Sequence, residues 1–126
     1  MHIALLAPLP PEQNGIADYA GHLKSALESL GVQVSTPLQG VGNDPLLAVR
    51  RVAEVDWQGI DLVHAEIGGG RLAEFHALRA LRKRFDTLPL TATVHDPERL
   101  VWRRAKLPWP LSMANAMPSP LPEIAT

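Results

Sequence analysis

Four short apolar runs, each followed by a stretch of helical periodicity, constrain this chain more than any other feature. Ile3 to Ala7 is apolar at every position, as a strand covered on both faces must be, and such strands belong to parallel sheets. The alternation of apolar run and amphipathic stretch marks successive βα units, whose crossover helices pack back on the sheet they connect. The expected fold is α/β: a Rossmann-like open parallel sheet of about four strands, in the order 2-1-3-4, with helices on both faces.

The first helix is expected from Tyr19, Leu23, Leu27 and Leu30, spaced i, i+4, i+8 and i+11 with Ala26 on the same stripe. Gly31 stands where a left-handed residue closes a helix. Val32, Val34 and Thr36 then suggest a second strand, stopped by Pro37. Asp44-Pro45 combines a carboxylate cap with a proline whose missing N–H is harmless in a first turn, so a helix should run from Leu46 to Val55. Ile60, Leu62, Val63 and Ala65 form a third strand, ending at Glu66-Ile67 before Gly68-Gly69-Gly70. A third helix from Arg71 to Phe85 puts Leu78, Leu81 and Phe85 on one face and His76, Arg79 and Lys83 on the other. Leu90 to Val94 is the fourth strand, and Asp96-Pro97 repeats the cap-plus-proline start for a short helix through Arg104. Residues 1–107 thus form one domain. Residues 108–126 hold five prolines, too many for a long helix or central strand. They are expected to form a wrapping extension, packed through Trp109, Leu111, Met113 and Met117, or a linker to a further domain.

Composition excludes several classes. There are no cysteines, hence no disulfide framework and no thiolate metal site. Twelve basic against 13 acidic residues argue against a general nucleic-acid binder. No stretch reaches the ~20 apolar residues of a membrane span. The opening Met1 to Ala7 has no basic leader and is closed by Pro8, Pro10 and Pro11, so it reads as a strand of a cytoplasmic protein and not as a signal peptide. The charge is uneven. Residues 1–66 carry 3 basic and 8 acidic side chains, a net of -5, and residues 71–106 carry 9 and 4, a net of +5. Such a dipole can steer an anionic ligand or membrane face to one side, although two helices with solvated basic faces would give the same count.

In an open parallel sheet, ligands bind beyond the carboxyl ends of the strands where strand order reverses. Three segments should meet there: Pro8 to Ile16, Glu66 to Gly70, and His95-Asp96. In the first, Asn14 and Gly15 precede a helix whose free N–H groups favour phosphate, though capping and turning the chain would also explain them. The triple glycine is a second anion-nest candidate, yet it matches neither G-x-G-x-x-G nor the P-loop pattern. His95 follows a strand directly and can bond a sugar hydroxyl or carry a proton. Glu66 occupies the equivalent place after the third strand, and Asp96 has the simpler explanation of starting a helix. His22 and His76 are expected on helix surfaces and His64 packed within its strand. No H-E-x-x-H or similar cluster suggests a metal. As a side chain at a strand end, His95 should be removable at a cost within about 1 kcal/mol.

Taken together, these segments resemble a known family. Asn14-Gly15-Ile16-Ala17-Asp18-Tyr19, then Leu23, Leu27 and Gly31-Val32-Gln33-Val34, are similar to the opening of the N-terminal domain of family 4 glycosyltransferases, Gly-Gly-(Ile/Val)-x-x-(Tyr/His) with a later Gly-His-x-Val. Asp61 to Glu66 resembles that family's Asp-(Val/Ile)-(Val/Ile)-His-x-His, and Leu88 to Asp96 its Pro-x-(Val/Ile)-x-Thr-x-His-(Asp/Gly). The resemblance covers residues 1 to about 100. Asn14, Gln33 and Glu66 depart from it, replacing Gly, His and His. It implies a retaining hexosyltransferase of the GT-B architecture, with Gly15 near the donor diphosphate and His95 on the transferred sugar. Asn14, Ile16, Glu66 and Asp96 would be further substrate contacts. Arg79, Lys83, Arg103 and Arg104 would meet a lipid-linked acceptor or the membrane periphery.

Its ligands would be a nucleotide sugar, as substrate and not as cofactor, and a glycan, lipid-linked or small-molecule acceptor. The donor-binding domain, with its Glu-x7-Glu pair, is expected outside these 126 residues, leaving the chain inactive alone and free to self-associate through the face that domain would cover. Two other readings stay open: a stand-alone nucleotide- or protein-binding module, and a flavodoxin-like redox domain, for which the first loop lacks Ser/Thr phosphate ligands.

Overall fold

The computed structural model describes residues 1–96. In chain order the elements are β1 (His2–Leu6), α1 (Gly15–Ser29), β2 (Gln33–Ser35), α2 (Pro45–Glu54), β3 (Leu62–Ile67), α3 (Ala73–Arg84) and β4 (Leu90–Val94). All strands are parallel, in the order β2-β1-β3-β4. This is the α/β open sheet and the strand order expected from the sequence. The short helix through Arg104, the basic residues Arg103 and Arg104, and the extension bearing Trp109 lie outside the described residues.

Right-handed crossovers decide which face each helix takes. The chain moves one way from β1 to β2 and the other way from β2 to β3 and on to β4, so α1 lies on one face and α2 and α3 on the opposite one. The apolar clusters divide accordingly. Ala4 and Leu6 of β1 and Val63, Ala65 and Ile67 of β3 pack with Ala48 and Val52 of α2 and Ala77, Leu78 and Leu81 of α3. Leu5 and Ala7 face the other way, toward Ala20 and Leu23 of α1. Alternation along β3 and β4 therefore leaves His64, Glu66, Thr91 and Thr93 on the α1 side of the sheet.

Local chemistry sets the helix ends. Asn14 Oδ1 accepts from the Ala17 amide at 2.7 Å. Asp44 caps α2 through the amides of Leu46 and Leu47. Gly31, at φ 85°, closes α1 with paired bonds from the amides of Gly31 to Glu28 and of Val32 to Leu27. The start of α3 is different, for Leu72 offers no capping side chain. Asn43, from the loop before α2, caps it instead, accepting from the amides of Leu72 and Ala73 while donating to the Gly70 carbonyl. This displaces the helix start from the expected Arg71 to Ala73. The far ends of α2 and α3 are also joined, since the Val52 carbonyl accepts from Trp57 Nε1 at 2.9 Å and from Arg84 at 3.1 Å.

Two expectations are corrected. On α1 the contact strip centres on Ala17 and Ala20, with Leu23 half-buried, while Tyr19 is 45% and Leu30 79% exposed and Ala26 faces solvent. The buried strip is shifted around the helix from the expected one, because small alanines let α1 approach Leu5 and Ala7 more closely than a leucine ridge would. Asp96 has φ 52°. Asp44 has the extended backbone of an N-cap, so Asp96 does not repeat that start. No helix among the described residues is long and apolar enough to cross a membrane.

Packing at these positions gives a direct check. Leu81→Ala, at a wholly buried position, should cost about 2–5 kcal/mol. Leu30→Ala should stay within about 0.5 kcal/mol. Urea titration of the two variants measures both.

Candidate functional site

A crevice of about 610 Å³ opens where the chain leaves the carboxyl ends of β1, β3 and β4. Asn14, Gly15, Ile16 and Tyr19 line it from the start of α1, Gly69 and Arg71 from the turn before α3, and His95 and Asp96 from the end of β4. The three segments expected to converge therefore do so. Glu66 sits beside the crevice wall and reaches it through His95.

His95 is held from several directions. Its backbone N–H donates to the Ile67 carbonyl at 2.6 Å, and its Nε2 lies 2.7 Å from Glu66 Oε2. The Tyr19 ring meets the imidazole edge-on, with centroids 5.3 Å apart. Gly68 allows the close approach behind these contacts: a Cβ there would stand 2.6 Å from Ile16 Cδ1 and 3.7 Å from His95 Cβ. The close contact is with the far end of the Ile16 side chain, so a Cβ at position 68 would be accommodated by a shift of that side chain.

Glu66 is fully buried, and its second oxygen, Oε1, has no hydrogen-bond partner. The closest cationic candidate is His64 Nε2 at 3.3 Å. His64 lies half-buried within β3, as expected. It bridges β3 to β4, with Nδ1 2.8 Å from Thr91 Oγ1 and Nε2 3.0 Å from Thr93 Oγ1. The apolar neighbours of β3 are on its other face, and alternation turned the histidine to the polar one.

Arg71 organises the rim. Two of its nitrogens bond the two oxygens of Glu74 at 2.8 Å each, and it reaches the Gly42 carbonyl at 3.0 Å and Glu12 at 3.4 Å. The bond to Glu74 raises the guanidinium pKa above its ordinary value against the opposing effect of burial. Glu66 and Glu74 both lie next to the turn before α3. Here the two carboxylates turn to separate partners, His95 and Arg71.

The remaining candidates lie elsewhere. Arg79 stacks on Phe75, 5.7 Å from the ring centroid, and Lys83 is exposed. Lys83 follows Ala73, the first residue of α3, by ten residues, about 15 Å along the helix, so the basic face of α3 runs away from the crevice. His22, exposed as expected, lines a separate cleft of about 460 Å³ with Asp18 and Lys24. Among the described residues no cluster of three or more His, Asp or Glu side chains can hold a metal ion.

Sequence reasoning missed Tyr19, assigned to the core, along with His64 and Arg71. The tyrosine position belonged to the first resembled motif, which was the available signal. For Arg71 the signal was a cation placed directly after three glycines. No family model, curated protein or solved structure matches the chain.

The geometry revises the expected cost of losing His95. Its removal leaves a wholly buried carboxylate without its hydrogen-bonding partner among the described residues, which costs more than the packing of a surface ring. His95→Ala should lose about 2–3 kcal/mol in urea titration. The double variant Glu66→Leu/His95→Ala should recover part of that loss, because no charge then remains buried. A loss below about 1 kcal/mol in the single variant would contradict the pairing.

Proposed function

We propose that this domain is the acceptor-side half of a two-domain, retaining glycosyltransferase that uses a nucleotide-sugar donor. The observation that carries the reading is the placing of the Asn14-Gly15-Ile16 helix start and His95 in one crevice at the strand ends. A helix start presents N–H groups and a partial positive charge to an anion, which suits a diphosphate. The imidazole across the crevice suits a sugar hydroxyl. The three resembled motifs fall on these same segments, which supports the assignment further.

In this reading Asn14, Gly15 and Ile16 meet the donor phosphates, His95 meets the transferred sugar, and Asp96 and the Tyr19 ring bound the acceptor side. Glu66 acts through His95. A second domain would close the crevice, exclude water and bring the donor into line with the acceptor. Arg79 and Lys83, remote from the crevice, are assigned to the acceptor's lipid or to an anionic membrane surface and not to the nucleotide.

The test begins with the complete reading frame that encodes the chain. It should continue into a second Rossmann-like domain with a Glu-x7-Glu pair, and its product should transfer sugar from a panel of nucleotide sugars with retained anomeric configuration by NMR. His95→Ala should lower kcat in that protein by about 100-fold or more, while the 126-residue chain alone transfers none. A frame that stops at Thr126, together with no movement of the Gly15 or Gly69 amide signals on adding UDP, GDP or ADP, would overturn the reading.

A further inference from the structure

We propose that Glu66 is a positioning residue that fixes His95 in its Nε2–H tautomer, so that the crevice histidine offers a ligand a lone pair and not a donor. An ionised carboxylate only accepts hydrogen bonds. With Glu66 ionised, His95 Nε2, 2.7 Å from Glu66 Oε2, therefore carries the hydrogen. The nitrogen left for a ligand is Nδ1, which in the neutral ring is an acceptor. The ligand group that His95 selects is then a hydroxyl or another donor, and phosphate oxygens are left to the N–H groups of the α1 start.

Two further observations make the Glu66 bond decisive. The first concerns His64. The Thr91 hydroxyl donates to the Val63 carbonyl at 3.4 Å, so its oxygen accepts from His64 Nδ1. In the neutral ring His64 Nε2 is then an acceptor for the Thr93 hydroxyl and gives nothing to Glu66, which agrees with the unpartnered Oε1. Among the described residues the carboxylate depends on His95 alone. The second is that the His95 ring has little freedom to turn away. Its backbone is tied to Ile67, its Cβ lies over Gly68 and its ring stands in a T-shaped contact with Tyr19. A flipped ring would put carbon against a buried carboxylate, leaving the charge without a donor.

The role of this tautomer in sugar transfer rests on the function proposed above, whereas the tautomer itself is read on the chain without ligand. The two can therefore fail separately. Long-range 1H–15N correlation spectra of the 126-residue chain, labelled at histidine and with His95 assigned by its loss in His95→Gln, report which nitrogen is protonated. At the alkaline end of a titration, His95 should show a protonated Nε2 and an unprotonated Nδ1. Glu66→Gln, whose carboxamide can donate as well as accept, should change or average that pattern, with the fold checked by its amide spectrum. A wild-type His95 protonated at Nδ1, or a pattern untouched in folded Glu66→Gln, would overturn the proposal. Should Glu66→Gln fail to fold, Glu66→Asp, whose shorter side chain withdraws the carboxylate from Nε2, takes its place with the same two outcomes.

Discussion

The central place of β1 is the constraint on which the other features depend. It pairs with β2 on one side and β3 on the other, so the connections leaving β1 and β3 must diverge to opposite faces of the sheet. That divergence leaves a crevice at their carboxyl ends which no single connection fills. Ile3 to Leu6 can hold this position because their side chains are buried on both faces of the strand. A polar residue among them would have no water and no partner on either side.

The two faces of the sheet have been used differently. The α2–α3 face is a continuous apolar core of alanine, leucine, valine and isoleucine. The α1 face is apolar only near β1 and β2. Toward β4 it carries two histidines, two threonines and a buried glutamate linked by hydrogen bonds and one longer contact. A network of this kind is costly to leave half satisfied, and it fixes one arrangement of its members more sharply than apolar packing does. The lone oxygen of Glu66 shows where satisfaction stops, and it lies next to the residue that faces the crevice.

Much of the fold was legible because apolar runs and caps are local signals. Ile3 to Ala7, Asp44-Pro45 and Leu90 to Val94 each announce their element without help from the rest of the chain. The rotation of α1 was not legible, since Tyr19, Leu23, Leu27 and Leu30 make a better stripe on paper than Ala17 and Ala20. What decides is how near the helix can come to Leu5 and Ala7. The start of α3 was hidden for a similar reason, because its cap comes from Asn43, nearly thirty residues away along the chain. For the site, strand ends pointed correctly to Gly15, Glu66 and His95 as neighbours. The bond between Glu66 and His95 depends on register between β3 and β4, where Glu66 faces Thr93, and periodicity does not supply register.

The borrowed cap has a consequence for motion. Asn43 and Arg71 together tie the loop before α2, the turn before α3 and the segment at Glu12 into one set of bonds. Each outer member is bonded to the turn before α3, the loop before α2 through Asn43 and Gly42 and the Glu12 segment through Arg71. The lip of the crevice should therefore open as one cooperative unit, with the amides of Leu72 and Ala73 exchanging together. Access to the interior would be governed by a single gating equilibrium and not by three independent flaps.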